Sequence, residues 1–243
     1  MSNTLQDNGS RPKPEPIGKI ELRLMNSRAR EWLLKYWDFP LFQHMAGRHG
    51  ISLDGRRILD AGCGSGYSLT LINERFRPGE LTAFDIVPSQ VEIAKSRDVP
   101  ATVFVADITA LELPCDTFDA VFVCGVLHHC PGWRAGLAEV ARVLKEGGLL
   151  FIEEPGTVHL KFERVLTGHS SSLEAGFSVP ALQREMERNG LSVLDSHRLY
   201  FGLFRSFLCV KGATLQARQY HKARHLFRAP KSGALAPGQE SSA

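Results

Sequence analysis

Three glycines at alternate positions follow a short apolar segment of the chain. The segment "RRILDAG" leads into Gly62, Gly64 and Gly66, and the amphipathic stretch "SLTLINERF" comes next. Glycine lets the backbone turn tightly and approach a ligand, with φ angles that other residues resist. An acid, Asp60, stands before the first glycine. This order predicts a strand, a ligand-binding turn and a helix.

The spacing of the glycines separates two kinds of nucleotide site. The dinucleotide fingerprint G-x-G-x-x-G lets a pyrophosphate sit on a helix N-terminus. Starting from Gly62, that fingerprint requires a glycine at position 67, which is Tyr67. The pattern here is acid-x-G-x-G-x-G, and no lysine or arginine stands in the turn. Nothing in the turn would therefore neutralise a phosphate.

Two further acids follow the next two predicted strands. Asp85 stands at the end of the second strand, where an acid can accept both hydroxyls of a ribose. Asp107 follows the third strand, where a carboxylate can accept from an adenine amino group. Ile86 and Ile108 would offer apolar faces to the ring. These acids predict an adenosine ligand that has no phosphate and carries positive charge.

Candidates for acid–base chemistry follow the fourth and fifth strands. The pair His128 and His129 comes directly after the fourth strand, and histidine titrates near neutral pH. Either ring could act as a base, pack on the ligand or cap the next helix. Glu153, Glu154 and His159 follow the fifth strand. We expect Glu154 and His159 to contact a substrate, although the glutamates could equally be exposed strand ends.

A helix is predicted before the first strand. Apolar residues recur at helical spacing from Ile20 to Tyr36, so this helix packs on the domain from outside or covers a cleft. Trp32, Tyr36 and Trp37 would then form the aromatic wall of a substrate pocket or belong to the core.

The elements that must position these residues alternate between strand and helix along the chain. Several strands, such as "DAVFVCGV", are apolar on both faces, as in a parallel sheet buried between helices. The last two strands are separated by a tight turn near Gly202 and must pair antiparallel. The pattern predicts a doubly wound α/β fold, mostly parallel, with an antiparallel C-terminal hairpin.

Composition restricts the class of protein. The chain has 243 residues, 43% hydrophobic and 23% charged, which suits one domain with a full core. Its most apolar run is far shorter than a bilayer span, and the polar start has no signal-peptide core. Five cysteines without zinc-like spacing predict reduced thiols, no metal site and a cytoplasmic location.

Four segments match a known family in the right order. "ILDAGCGSG", "AFDIVPSQVEIAKSR" and "VADITALELPCDTFDAVFVCGVLHHC", the last spanning the third and fourth strands, carry the match over about residues 55–211. The chain resembles the class I S-adenosylmethionine-dependent methyltransferases, of the group that includes ubiquinone and menaquinone biosynthesis methyltransferases. The resemblance implies a Rossmann-like sheet of seven strands, the last inserted antiparallel near the edge.

The resemblance also implies the cofactor S-adenosylmethionine and a set of residues around it. The methionine end is expected against the turn formed by Asp60, Ala61, Gly62, Cys63, Gly64 and Gly66. The ribose and adenine are expected against Asp85, Ile86, Asp107 and Ile108. Cys124 and Val126 are expected along the path to the reactive methyl group. Transfer would be an in-line displacement, with His129 or His128 as base.

The implied division is a disordered start (1–18), a helical lid (19–49), the methyltransferase domain (50–211) and a basic, disordered tail (212–243). A small organic acceptor is favoured, methylated on oxygen or carbon, with no metal and no nucleic acid. RNA or protein is the alternative acceptor, because no acidic residue stands between Asp195 and Glu240. An inactive cofactor-binding subunit is the third. The oligomeric state is not predicted.

Overall fold

The computed structural model of the chain describes residues 27–156 and 177–212. Seven strands form one sheet in the order β3-β2-β1-β4-β5-β7-β6. The strands are β1 Arg57–Ala61, β2 Glu80–Asp85, β3 Thr102–Val105, β4 Phe118–Cys124, β5 Leu144–Pro155, β6 Leu191–Leu199 and β7 Phe204–Lys211. Strands β1 to β5 run parallel, and β7 pairs antiparallel with both β5 and β6. The predicted fold class is confirmed.

Helices cover both faces of the sheet. They are α1 Arg28–Leu33, α2 Phe39–Arg48, α3 Tyr67–Phe76, α4 Pro88–Lys95, α5 Trp133–Val143 and α6 Val179–Arg188, with 3-10 turns at Leu127–His129 and Tyr200–Gly202. The central strands are buried on both sides for this reason, and they read as continuous apolar runs. Among the described residues, no helix is long and apolar enough to cross a bilayer.

Two apolar layers hold the sheet. On one face, Phe39 and Phe42 of α2 pack against Phe122 and Phe151, whose rings stack at 4.6 Å between centroids. On the other face, the layer is formed mainly by α5, α6 and the opposite side of β4, β5 and β7. These layers fix the carboxyl ends of β1, β4 and β5 beside one another.

The N-terminal helical region differs from its prediction. A single helix with Ala29, Trp32 and Tyr36 on its buried face was expected, yet these three side chains are exposed. The reason is a π-helical turn at Leu34–Asp38, which joins α1 to α2 and inserts extra residues per turn. The turn changes the phase of the helix and buries Leu34 and Asp38 instead. The part of the predicted helix before Ser27 lies outside the described residues.

The C-terminal elements follow the sequence closely. Ser178 caps α6 by accepting the Ala181 N–H at 3.3 Å, and Gly202, with a φ of +89°, ends the turn between β6 and β7. The helix α5 ends at Val143, and Leu144 begins β5 because it pairs with Phe118 of β4.

Candidate functional site

The glycine turn lies at the carboxyl end of β1, and each glycine has a different reason to be glycine. All three have left-handed φ angles, +80° at Gly62, +53° at Gly64 and +80° at Gly66. A Cβ at Gly62 would lie 2.5 Å from the Val126 side chain, and one at Gly66 would lie 2.8 Å from Ala94. A Cβ at Gly64 would meet nothing within 4 Å. Gly64 therefore keeps one side of the turn open.

Asp85 connects this turn to the end of β2. Its Oδ2 accepts the Gly64 N–H at 2.8 Å, and its Oδ1 accepts the Val87 N–H at 2.9 Å. Burial raises the pKa of Asp85, against these backbone bonds and the nearby His129. Each carboxylate oxygen can accept a further donor, such as a ribose hydroxyl. The structure thus places Asp85 against the turn, as the predicted site requires.

Asp60 faces the interior. It is 1% exposed, and its Oδ2 accepts the Ser68 hydroxyl at 2.5 Å from the first turn of α3. Burial raises the pKa of Asp60 to about 7; the Ser68 bond opposes the rise and Asp85 adds to it. The neighbouring side chains of Ala61 and Cys63 are buried too. The turn can therefore offer a ligand its backbone and the open side of Gly64.

The predicted adenine contacts divide between the surface and the core. Asp107 is half-buried, and its Oδ1 accepts both the N–H and the hydroxyl of Thr109 at 2.8 Å each. Ile86 is half-buried at the end of β2. Ile108 is buried in the apolar layer over α5, where a Cβ added to Gly136 would lie 3.2 Å from it.

The two histidines have different surroundings. His128 is buried, and its Nδ1 lies 2.8 Å from Glu154 Oε2. Glu154 Oε1 also accepts the N–H groups of Val126 and Leu127, at 3.0 and 2.8 Å. His129 is half-buried and packs against His128, with 3.7 Å between ring centroids and the ring planes tilted by 43°. Glu154 therefore orients the 3-10 turn and the His128 ring, although it was predicted to contact substrate.

A buried cluster that the sequence did not reveal lies on the opposite face of β5. Arg30 donates to Asp38 Oδ2 at 2.9 Å and to Glu153 Oε1 at 3.4 Å, and the Tyr200 hydroxyl donates to Asp38 Oδ1. We call Arg30, Asp38, Glu153 and Tyr200 the carboxyl cluster. The alternation of strand residues does predict that Glu153 and Glu154 face opposite sides.

The carboxyl cluster holds one arginine and two carboxyl groups. Burial raises the pKa of both Asp38 and Glu153, and the Asp38 charge raises that of Glu153 further. Glu153 is fully buried, and its Oε2 meets no hydrogen-bond partner among residues 27–156 and 177–212. Cys124 pairs in register with Glu153, and burial raises the pKa of its thiol well above the ordinary value.

Arg97 connects the glycine turn to the N-terminal helices. It donates to the Ser65 carbonyl at 2.5 Å and to Glu31 of α1 at 3.1 Å, and its guanidinium lies 5.4 Å from the centre of the Tyr67 ring. Arg97 is 32 residues from Ser65 and 66 from Glu31 in sequence, so no local pattern predicts these contacts. The positive charge of Arg97 is engaged by Glu31.

Comparison with known proteins agrees with this geometry. Residues 59–152 match a family described as a methyltransferase domain. Malonyl-[acyl-carrier protein] O-methyltransferase of Serratia marcescens is 35% identical over 101 residues, 42% of this chain and 39% of the relative. A chloroplastic 2-methyl-6-phytyl-1,4-hydroquinone methyltransferase of Oryza sativa is 32% identical over 108 residues, 44% of this chain and 30% of that protein.

The solved structures give the same fold. A SAM-dependent methyltransferase from Aquifex aeolicus superposes with a TM-score of 0.62, at 19% identity, over 81% of this chain and all of that one. The chain therefore has the fold of the class I methyltransferases. It spans about two fifths or less of the length of the first curated relatives it matches.

The cofactor that this methyltransferase fold implies is S-adenosylmethionine, and the residues present fit it. Gly64 leaves space beside the turn, and Asp85 and Asp107 have carboxylate oxygens with capacity to accept further donors. The edge is rich in acids, which suits a cofactor that carries positive charge. When bound, the cofactor supplies the methyl group and a sulfonium leaving group.

The remaining predicted site residues fall in three places. Val126 packs over Gly62, and Cys124 is half-buried at the end of β4. Trp32, Tyr36 and Trp37 are about half exposed, so none belongs to the core. His159 lies outside the described residues. The five cysteines are free thiols, and the described residues contain no cluster that could hold a metal ion.

Proposed function

We propose that this chain transfers a methyl group from S-adenosylmethionine to a small organic acceptor, on oxygen or carbon. The observation that carries the proposal is the position of the Asp85 carboxylate. It accepts the N–H of Gly64, the open glycine of the turn, and its oxygens can still accept ribose hydroxyls. The acids at this edge favour a cationic cofactor over a phosphorylated one. The two relatives named above methylate acceptors of different chemistry, so the fold alone does not choose between them.

The chain's own residues would bind and orient the cofactor and the acceptor, and they would remove a proton from the acceptor. Methyl transfer requires the donor carbon, the leaving sulfur and the acceptor atom in line, in a space without water. His129 is the proposed base, because it is close enough to influence the Asp85 charge and packs against a ring that Glu154 holds in place. It would take the proton from the acceptor's hydroxyl or activated carbon as the new bond forms.

His128 is the weaker candidate for the base, although it is the better held ring. Its Nδ1 is engaged by Glu154, and the ring is buried. A histidine whose one nitrogen donates to a carboxylate has its tautomer and orientation fixed. We therefore assign His128 to positioning His129, and Glu154 to positioning His128.

RNA or protein remains a second candidate acceptor. The acid-free stretch that supports it contains Arg198 and Arg205, but most of it lies beyond residue 212. Lys211, at the end of the described part, bonds Asp116 and the Leu144 carbonyl at 2.8 and 2.7 Å. This lysine is thus part of the fold. An inactive cofactor-binding subunit is the third candidate.

Label transfer distinguishes these functions. The full chain is incubated with methyl-tritiated S-adenosylmethionine and host extract, which is then fractionated into small molecules, RNA and protein. Label in the organic-soluble fraction supports the proposal, and label in RNA or protein contradicts the acceptor class. Failure to label any fraction, with cofactor binding intact, favours the inactive subunit.

Cofactor binding is tested separately with Asp85→Asn. The change removes the charge that binds two backbone N–H groups and the proposed ribose, so S-adenosylmethionine affinity should fall by about 1–3 kcal/mol in calorimetry. Asp116→Asn is the matched control, because Asp116 is exposed and bonds Lys211 far from this edge. Equal affinities in the two variants would remove Asp85 from the site.

A further inference from the structure

The exposed aromatic side chains of the described residues are concentrated in one place. Trp32 is 53% exposed, Tyr36 56% and Trp37 50%, and Phe201 is fully exposed. The other large exposed apolar side chains in the described ranges are aliphatic and lie on separate elements, Ile93, Val105 and Val193. We call Trp32, Tyr36, Trp37 and Phe201 the aromatic surface.

The aromatic surface joins two segments that are far apart in sequence. Trp32 and Tyr36 lie on one side of the helix with 5.4 Å between ring centroids. Trp37 lies 6.3 Å from the ring of Tyr200, the residue before Phe201. The π-helical turn and the β6–β7 turn therefore lie beside each other.

The strained backbone at Phe201 holds its side chain in solvent. Tyr200 and Phe201 have φ angles of +50° and +58°, left-handed values that strain the backbone of an L residue. Tyr200 offsets part of this strain through its bond to Asp38. Phe201 gains no burial within the described fold. A strained residue that projects an apolar ring into water points to a partner outside the fold.

The charges around the aromatic surface have one sign. The exposed ionisable residues of its two segments are Arg28, Lys35 and Arg198. The acids nearby are engaged: Glu31 pairs with Arg97 at 3.1 Å, and Asp38 is fully buried. Arg198 also stands directly opposite Arg205 across β6 and β7, an arrangement of like charges that a partner anion would relieve.

We propose that the aromatic surface docks on an anionic lipid bilayer. Tryptophan and tyrosine are the side chains that favour the interface between headgroups and acyl chains, and flanking lysine and arginine are attracted to anionic headgroups. Phe201 supplies an apolar side chain that inserts below them. The exposed charges around the aromatic surface are all positive, which argues against an apolar partner with a neutral surface.

The docking surface and the proposed site share one segment. The outer side of α1 and the π-helical turn carries the aromatic surface, and the inner side carries Arg30 and Asp38, bonded to Glu153 at the strand edge. Docking would turn this edge towards the bilayer, so the acceptor would be lipid-soluble. This second step rests on the proposed function, whereas docking does not.

Vesicle binding tests the docking step without cofactor. The full chain is mixed with vesicles of phosphatidylcholine, or of phosphatidylcholine with phosphatidylglycerol, whose acyl chains are brominated. The chain has three tryptophans, and Trp133 is buried, so quenching by bromine reports Trp32 and Trp37. We expect quenching with the anionic vesicles, reduced as salt screens the attraction.

The control variants decide whether the aromatic surface is responsible. Trp37→Ser with Phe201→Ser should weaken vesicle binding at least about tenfold, which is about 1.4 kcal/mol, and Ile93→Ser should not. Equal binding of all variants, or no quenching, would overturn the proposal. So would saturable binding of an acidic carrier protein that the double variant abolishes while vesicles do not bind.

Failure of docking and failure of the proposed function are distinguishable. If vesicles bind but no methyl label is transferred, docking stands and the methyl acceptor assignment is lost. Label found only in water-soluble small molecules, with vesicle binding intact, would contradict the lipid-soluble acceptor alone.

Discussion

Asp60, Asp85 and Glu153 lie at one edge of the sheet, and burial raises the pKa of each. Their surroundings nevertheless differ. Asp85 is bound by two backbone N–H groups, Asp60 by one hydroxyl, and Glu153 by an arginine. Ionisation is therefore easiest where the backbone donates and hardest in the carboxyl cluster. A bound cation would favour the charged forms and release protons.

Asp60 should make stability depend on pH. Its pKa is about 7 in the folded chain against 3.8 for the ordinary side chain, so the neutral form is favoured by folding. The stability that this group contributes is complete below pH 3.8 and is lost as pH rises through about 7. Asp60→Asn should abolish this loss, worth on the order of 2–4 kcal/mol, in urea unfolding at pH 5 and 8.

Ser68→Ala serves as the companion measurement, because it removes the hydroxyl that favours the charged carboxylate. In Ser68→Ala the free energy of unfolding should fall further as pH rises. A flat profile in the unchanged chain would contradict the assignment of Asp60.

His129 should affect turnover and leave cofactor affinity unchanged. If His129 is the base, His129→Ala should lower the turnover rate by about 10²–10⁴-fold. The fall in rate at acidic pH should then disappear from the pH profile. His44→Ala is the control, since His44 is exposed near His197 and away from the strand edge. Full turnover in His129→Ala would place the base elsewhere.

At the scale of elements, α1 is held over the strand edge by two arginines from opposite directions. Arg30 reaches inward to the carboxyl cluster, and Arg97 reaches from the end of α4 to Glu31. The Arg30 contact depends on the π-helical turn, which buries Asp38, whereas Trp37 of the same turn is exposed. One short segment can carry both the carboxyl cluster and the aromatic surface because their side chains leave the helix in opposite directions.

Arg30→Met should loosen α1. The change leaves Asp38 and Glu153 without their positive partner, and removing one member of a buried pair is strongly destabilising. Amide hydrogen exchange of residues 31–38 should accelerate by about tenfold or more while the amides of β4 stay protected. Arg28→Met, on the exposed side of the same helix, should leave exchange unchanged. Uniform acceleration across the sheet would show global unfolding instead.

The elements were predictable wherever one local rule decided them. Glycines, prolines and apolar runs placed the strands and the antiparallel hairpin correctly. The π-helical turn was missed because its cause is tertiary: the exposed Trp32 and Tyr36 recur at the spacing of a buried face, and only packing against the sheet buries Leu34 and Asp38.

The placement of the candidate site residues at one edge of the sheet was predictable for a different reason. The turn glycines and Asp85 follow strand ends in order, and a parallel sheet brings those ends together. The carboxyl cluster was not predictable, because Arg30, Asp38, Glu153 and Tyr200 come from three distant parts of the chain. Glu154 was predicted to contact substrate because its hydrogen bonds to the 3-10 turn form only when β5 lies beside β4.

At the scale of the whole molecule, β7 stands between β5 and β6, although it is the last of the described strands to be made. Until residues 204–211 emerge, β5 has an open edge and β6 has no place in the sheet. The Tyr200 bond to Asp38 likewise joins the last part of the described chain to the first. A nascent chain can thus form its glycine turn early. It completes the carboxyl cluster and the aromatic surface only after Tyr200 and Phe201 have been made. Synthesis order therefore delays any encounter with a partner surface until the fold is complete.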